Sequence, residues 1–366
     1  MTPTPLRLEV RTRLGALATE WDQLVSTQEL PSPFLRSWWI DNAAGGAPAV
    51  LCCFEGGRLV GGAAFELDQV RRGPVRTERV RCIGQGVLAP DHLDVVAAEG
   101  RASAVLELVI GWLRRPGSRV VDLDGLAATG ALAGALGAYE LARVGAPYAP
   151  LPVTGAEYLA ARPGRLRSTV TRSRKRFVKD GASFRRVDAD DVARALDQLA
   201  ALHDERWSDE SNFLLAWDRC RTALVAGAAA GEVLIHELLS AEGDVVAVEL
   251  DLRCGTRQSF YQAGRRTERE WRGCGSVLRA VLVDHACEDG MDEYDLLRGD
   301  EPYKADWATE RRELLHCRTG VGPVGRLFDT AERVLRRSRP AAARARSLLS
   351  PAVLRGRRST RDELSG

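Results

Sequence analysis

Three carboxylates, a phenol, an ammonium and an indole crowd the short run Asp300-Glu301-Pro-Tyr303-Lys304-Ala-Asp306-Trp307, just after Tyr294-Asp-Leu-Leu-Arg298-Gly299. Side chains of these types move protons and stabilise developing negative charge. Their placement past the C-terminal end of a strand expected over 291–297 is where α/β proteins commonly bind ligands, although a capped, solvated loop would carry the same residues. Upstream, Gly273-Cys274-Gly275-Ser276 opens an amphipathic helix expected over 275–289, with Val277, Leu278, Val281, Leu282 and Ala286 along it. Glycines there admit a close backbone approach, and the unpaired N–H groups of a helix start favour an anion such as a pyrophosphate; the same residues also suit a plain turn. The GxGxxG and Walker patterns are both absent, so nicotinamide and ATP readings fail on their own motifs.

Glu249 interrupts the apolar ladder VVAVELDL, either paired with an arginine at the surface or poised as a base. His203, Arg206 and Trp207 lie within about one helical turn and either line a pocket or, for Trp207, pack into the core. Five histidines and no nucleophile-elbow pattern give no support to a Ser/His/Asp triad. The eight cysteines include adjacent Cys52-Cys53 but no CxxC pair and no His/Cys cluster at zinc spacing, which predicts reduced, buried thiols and no metal.

The elements that must hold these groups repeat. Strand 6–11, helical runs at 16–27 and from Phe34 to Gly45-Gly46, a hairpin 48–55/58–66 turning at Gly56-Gly57, strands 75–83 and 92–97, helix 101–115, strand 118–124, a short helix 130–137 and strand 138–145 form a first series. After a basic helix at 162–179 the order recurs: strand 182–188, helix to about 207, helix 213–229, strands 232–240, 244–253 and 257–264, helix 275–289, strands 291–297 and 311–318. The length of 366 residues suits two domains, and the repeat predicts two similar α/β (α+β) units, each a mixed, largely antiparallel sheet flanked by helices. The expected boundaries are 1–155, a connector 156–181, 182–320 and an Arg-rich tail 321–366.

Of 52 basic residues only Lys175, Lys179 and Lys304 are lysine. Residues 320–366 hold 11 Arg against 4 acids, or +7, so the net charge of +2 leaves −5 on the body. That balance argues against a nucleic-acid-binding domain. The basic run 162–179 is either a solvated connector or a polyanion-facing helix, and the tail, broken by Pro340 and Pro351, either packs loosely or forms an interfacial helix on an anionic membrane or polymer. No apolar run is long enough to span a membrane and no secretory leader is visible, so a cytoplasmic protein, peripheral at the membrane if the tail binds lipid, is expected.

The string Leu297-Arg-Gly-Asp-Glu-Pro-Tyr-Lys-x-x-Trp307, with Gly275-Ser-Val-Leu, Ser32-Pro-Phe-x-x-x-Trp38, Asp91-His-Leu-Asp94 and His203-x-x-Arg206-Trp207, resembles the GNAT-fold acyltransferases of the CelD/BcsL (cellulose-biosynthesis-type, BioF2-like) family over about residues 15–318. That family is similar in plan to the FemAB-type aminoacyltransferases, which carry tandem GNAT domains. The resemblance implies transfer of an acyl group, acetyl in the simplest case, from acyl-CoA to an amine by direct attack on the thioester. It places the CoA pyrophosphate on N–H groups of Gly273, Cys274, Gly275, Ser276, Val277 and Leu278, and the pantetheine along Tyr261, Gln262 and Ala263. Tyr303 would be the acid for the leaving thiolate and Lys304 would stabilise the oxyanion or bind a phosphate. Asp300 or Glu301, with Glu249 as runner-up, would accept the proton of the amine. His203, Arg206, Trp207, Arg298 and Trp307 would meet the acceptor.

Three readings follow: an acyl-CoA-dependent N-acyltransferase acting on a sugar, polysaccharide precursor or small metabolite; a tRNA-dependent aminoacyltransferase, if the basic segments bind RNA; and a catalytically silent partner in envelope or polysaccharide assembly, suggested by Glu270 where the resemblance implies Gln or Arg facing a phosphate.

Overall fold

A computed structural model of the chain describes residues 5–207 and 212–338. The first series is β1 (Arg7–Arg11), α1 (Ala18–Ser26), α2 (Ser37–Ile40), β2 (Ala47–Glu55), β3 (Arg58–Arg72), β4 (Val75–Cys82), β5 (Val96–Ala97), α3 (Ala102–Leu113), β6 (Arg119–Ala127), α4 (Ala131–Ala135) and β7 (Tyr139–Pro150). Helices α5 (Gly155–Ala160) and α6 (Gly164–Lys179) lead to the second: β8 (Ser183–Arg186), α7 (Val192–Trp207), α8 (Trp217–Ala229), β9 (Val233–Leu239), β10 (Val245–Cys254), β11 (Arg257–Arg265), α9 (Cys274–Glu288), β12 (Glu293–Asp295), α10 (Lys304–Trp307), β13 (Glu310–Val321) and α11 (Gly322–Ser338).

Local sequence explains the sharpest joints. Gly56 and Gly57, with φ of 58° and 87°, turn β2 into β3, the backbone a two-residue hairpin demands. Thr154 and Glu157 form a capping box at the start of α5. The aromatic run after Pro33 is a 3-10 turn and then the four-residue α2, shorter than its helical spacing predicts, because Phe34, Trp38 and Trp39 are all drawn into the core.

The two series join in one sheet, ordered β1-β2-β3-β4-β6-β13-β7-β12-β11-β10-β9-β8, with β5 beside β3. Neighbours are antiparallel except β4/β6 and β11/β12. The protein is therefore a mixed α/β fold built on a large, mostly antiparallel sheet flanked by helices. The order also reveals an exchange: β13 of the second series pairs with β6 of the first, and β7 of the first pairs with β12 of the second. Each half thus completes the sheet of the other, and the largest buried cluster accordingly runs across both, from Trp21 and Trp39 to Leu250 and Tyr261.

Two expected strands shrink for a common reason. Only Val96–Ala97 of 92–97 and Glu293–Asp295 of 291–297 are strand, because residues 88–94 and 296–299 leave the regular ladder to build the junction between the halves. Among the described residues no helix is long and apolar enough to cross a membrane. All eight cysteines are buried, unpaired thiols, with Cys52 and Cys53 pushed up to about 11 by burial.

Candidate active site

Strands β11 and β12 run parallel for three residue pairs, ending at Ser259 opposite Asp295. They then part. The chain after Asp295 follows β7, with Leu296 N–H donating to Pro147 O (2.9 Å) and Gly299 N–H to Gly145 O (3.0 Å). On β11 the register against β10 slips between Leu250/Gln262 and Asp251/Phe260, leaving Tyr261 as the extra residue of a bulge. Between these diverging segments lies a wedge-shaped crevice, and along it the edge of Phe260–Arg265 has no strand partner among the described residues.

Helix α9 starts at the mouth of this crevice. Gly273 has φ of 91°, and a Cβ there would lie 2.6 Å from Ser173 Oγ on α6, so both backbone handedness and space require glycine. The side chains of Cys274, Val277 and Leu278 are core, which leaves the backbone N–H groups of the first turn as what this segment can offer a ligand. Arg265 lies against Gly275, and Arg176 of α6 reaches the same turn, donating to Arg272 O at 2.9 Å. A helix start ringed by guanidinium groups can hold a phosphate anion.

On the α9 side of the apex lies a buried polar cluster. Glu249 is paired with arginine as expected, but in the interior rather than at the surface: Arg279 Nε is 2.8 Å from its Oε1. Tyr294 OH lies 3.3 Å from Glu249 Oε1 and 3.4 Å from Asp251 Oδ1, and Gln258 Nε2 donates to Asp251 Oδ2 at 2.6 Å. One guanidinium serves two buried carboxylates. Burial and the neighbouring Glu249 charge accordingly push Asp251 up to about 8, and burial raises Glu249 despite Arg279. The Arg279 guanidinium also lies 4.0 Å from the Phe260 ring centre and 5.2 Å from that of Tyr303.

Tyr303 is 41% exposed, with its hydroxyl raised by desolvation against the opposing pull of Arg279. It stands free enough to meet a ligand; its neighbours are differently occupied. Lys304, expected at the oxyanion or a phosphate, is buried; its ammonium donates to Arg298 O (2.5 Å) and Leu297 O (3.4 Å) and pairs with the Glu301 carboxylate (3.1 Å), so it braces the loop. Asp300 is a solvated partner of Arg311 at 2.6 Å. Trp307 is core, and its carbonyl accepts from Tyr158 OH (2.5 Å) and Arg162 (2.8 Å). His203 is buried with its ring against Phe213, while the side chains of Arg206 and Trp207 lie outside the described residues. Tyr261 turns away from α9 into the core, donating to Leu88 O at 3.0 Å, so only its backbone faces the crevice edge.

Arg298, expected at the acceptor, instead binds Asp91, Asp124 (2.9 Å) and Pro90 O (2.7 Å) of the first half. Beside it His92 Nε2 lies 2.7 Å from Asp295 Oδ2, at the apex. Burial pulls Asp295 up, but His92, Arg257 and the Leu297 N–H outweigh it and its carboxyl is lowered. His92 enters the sequence reading only inside the Asp91-His-Leu-Asp94 element of the resemblance and Asp295 only inside Tyr294-Asp-Leu-Leu, neither with a role. The available signal was an acid-imidazole pair, Asp91-His92, set in an otherwise apolar stretch.

The equivalent crevice of the first half is closed. Leu93 pairs with the end of β6, exchanging hydrogen bonds with Gly125 O (2.9 Å) and Ala127 N (3.0 Å), while Asp94 accepts from the N–H groups of Ala131 (2.7 Å) and Leu132 (2.8 Å) at the start of α4.

Residues 164–305, from α6 into α10, match the family described as an acetyltransferase (GNAT) domain, so this segment carries a GNAT-fold acyltransferase domain. Among solved structures the chain is similar to FemX, at TM-score 0.59 and 12% identity over 84% of this chain and 96% of that one. It is also similar to a conserved protein of unknown function from Bacteroides thetaiotaomicron, at TM-score 0.57 and 9% identity over 85% and 99%. At these identities the likeness is one of fold. No curated protein sequence matches the chain.

Proposed function

We propose that the chain is an N-acyltransferase of the CelD/BcsL type that moves an acyl group, acetyl in the simplest case, from CoA to the amine of a sugar, polysaccharide precursor or small metabolite. The observation that carries this reading is the crevice: β11 and β12 part after Asp295 beside a bulge at Tyr261, and α9 opens at its mouth on Gly273, all within the segment that matches the acetyltransferase domain.

In this reading the first-turn N–H groups of α9 and Arg265 hold the pyrophosphate, and the unpaired edge of Phe260–Arg265 lies along the pantetheine. A main-chain N–H of that edge, rather than the fully engaged Lys304, faces the thioester oxygen as negative charge develops on it. The amine lone pair attacks the carbonyl, the C–N bond forms, the C–S bond breaks, and Tyr303 supplies the proton that the thiolate takes.

Thermal unfolding with and without CoA or acetyl-CoA tests it: ligand at about 100 times its dissociation constant adds about 2.7 kcal/mol, a shift of several degrees that Gly275→Asp should abolish. A second reading, an acyl donor carried on tRNA, is favoured by the exposed Arg167, Arg172, Lys175 and Lys179 along α6, which have no acidic partner among the described residues. Absence of a CoA shift together with salt-sensitive RNA binding would favour it.

A further inference from the structure

The acids expected to deprotonate the amine are all engaged: Asp300 by Arg311, Glu301 by Lys304, and Glu249 by Arg279, while Asp251 is raised by burial and holds its proton at neutral pH. One other proton acceptor stands at the apex, and it comes from the other half of the chain. His92 is 2% exposed, its Nε2 lies 2.7 Å from Asp295, and neither ring nitrogen makes an aligned hydrogen bond. Ser259 Oγ, on the residue opposite Asp295 across β11 and β12, is likewise buried without a partner.

The backbone around this point is held in costly conformations. His92 (φ 57°), Ala89 (φ 45°) and Leu297 (φ 55°) are the non-glycine residues at positive φ among those described, and all three lie where segment 88–92 meets segment 295–298. Strain of this kind persists where the surroundings over-determine it, which is common at active sites. The charged groups around His92 are Asp295 on β12, Arg257 on β11 at 4.0 Å from Asp295 Oδ2, and the adjoining Asp91 with its partner Arg298.

We propose that His92, supplied by the half whose own crevice is plugged, is the base for the attacking amine at the crevice of the other half, with Asp295 orienting its ring. The proposal rests on the N-acyltransferase reading. The substrate ammonium gives one proton to His92 Nδ1, and the freed lone pair forms the C–N bond as the C–S bond breaks. The second proton lost by nitrogen replaces the one Tyr303 delivers to the thiolate, and His92 returns its proton to solvent. Imidazole suits this role because its charge changes near neutral pH, and a carboxylate beside one ring nitrogen fixes which nitrogen is free.

The test compares thiol release from acetyl-CoA with two probe amines: ethanolamine, protonated at neutral pH, and hydroxylamine, already neutral. In His92→Asn, chosen because Asn tolerates positive φ, transfer to ethanolamine should fall by about 100-fold or more while transfer to hydroxylamine falls by less than about 5-fold, with the CoA-induced thermal shift kept. Equal losses with both amines, or none, would overturn the proposal. Should that variant fail to fold, His92→Gly suits the same backbone, and added imidazole should restore its ethanolamine transfer; no restoration counts against a base role. A wild-type protein that neither shifts with CoA nor releases thiol with either amine rejects the donor reading itself, a failure seen before any variant is made.

Discussion

Asp91 holds Arg298 twice, accepting from its main-chain N–H at 2.6 Å on one oxygen and from its guanidinium on the other. The two residues belong to different halves of the chain, and the contact ties the plugged segment of the first half to the loop that carries Tyr303 in the second. The strand exchange does the same on a larger scale, since β13 and β7 sit between β6 and β12. The candidate site is thus a product of both halves, although the acetyltransferase match begins only at residue 164.

Breaking that grip should cost more than a surface ion pair would. Asp91 is fully buried, and Asp91→Ala strips the Arg298 main-chain N–H of its acceptor and leaves the guanidinium with Asp124 but without its buried partner. We expect a loss of about 3–5 kcal/mol in urea unfolding, and Asp91→Ala/Arg298→Ala together should lose less than the sum of the two. Additive losses would mean that the two residues act separately.

The buried carboxylates predict a pH slope of stability. Asp251 has a folded pKa of about 8, above its unfolded value, so between about pH 4 and pH 8 the folded state binds the extra proton and stability falls as pH rises, then levels off. The slope is at most about 1.4 kcal/mol per pH unit. Urea midpoints at pH 5.5 and 8.5 check it: Asp251→Asn should flatten the difference, and an unchanged slope would place the titration elsewhere.

Tyr303 and Lys304, neighbours in sequence, should separate in experiment. Tyr303→Phe removes the hydroxyl of a half-exposed side chain, so stability should hold within about 0.5 kcal/mol while kcat for acyl transfer drops roughly 100-fold. Lys304→Met strips two carbonyl oxygens of their donor and removes the ion pair with Glu301, so the melting temperature should fall, by about 1–3 kcal/mol of stability, and any loss of rate should come with it. Stable Lys304→Met protein with a selective loss of kcat would return the ammonium to the chemistry.

What was legible in the sequence was local. The Gly56-Gly57 hairpin, the apolar stripe of α9, the Gly273 turn and the repeated order of elements all follow from neighbouring residues. The strand exchange was not legible, because which strand lies beside β6 is decided by packing across the whole sheet and leaves no periodicity. The resemblance makes Lys304 and Arg298 ligand-facing; Lys304 is buried and Arg298 half-buried, each matched by oxygens that loop closure brings together. His92 and Asp295 meet only after the halves join.

The closed crevice of the first half sets a stoichiometry. Both halves have a parallel strand pair that parts, β4/β6 in one and β11/β12 in the other, so two donor sites per chain would follow from symmetry alone. Leu93 removes one of them: its backbone pairs with the end of β6, along which a pantetheine would have to lie, and its side chain is buried with Leu126 and Leu132. The helix start there is also different, since Asp94 already accepts the free N–H groups of α4, placing a fixed carboxylate where a phosphate would bind. Calorimetric titration with CoA should therefore give one site per chain, unaffected by Asp94→Asn and abolished by Gly275→Asp. Two equivalent sites would give each half a donor site, and a single site that survives Gly275→Asp would place the donor in the first half and reverse the roles assigned to the two.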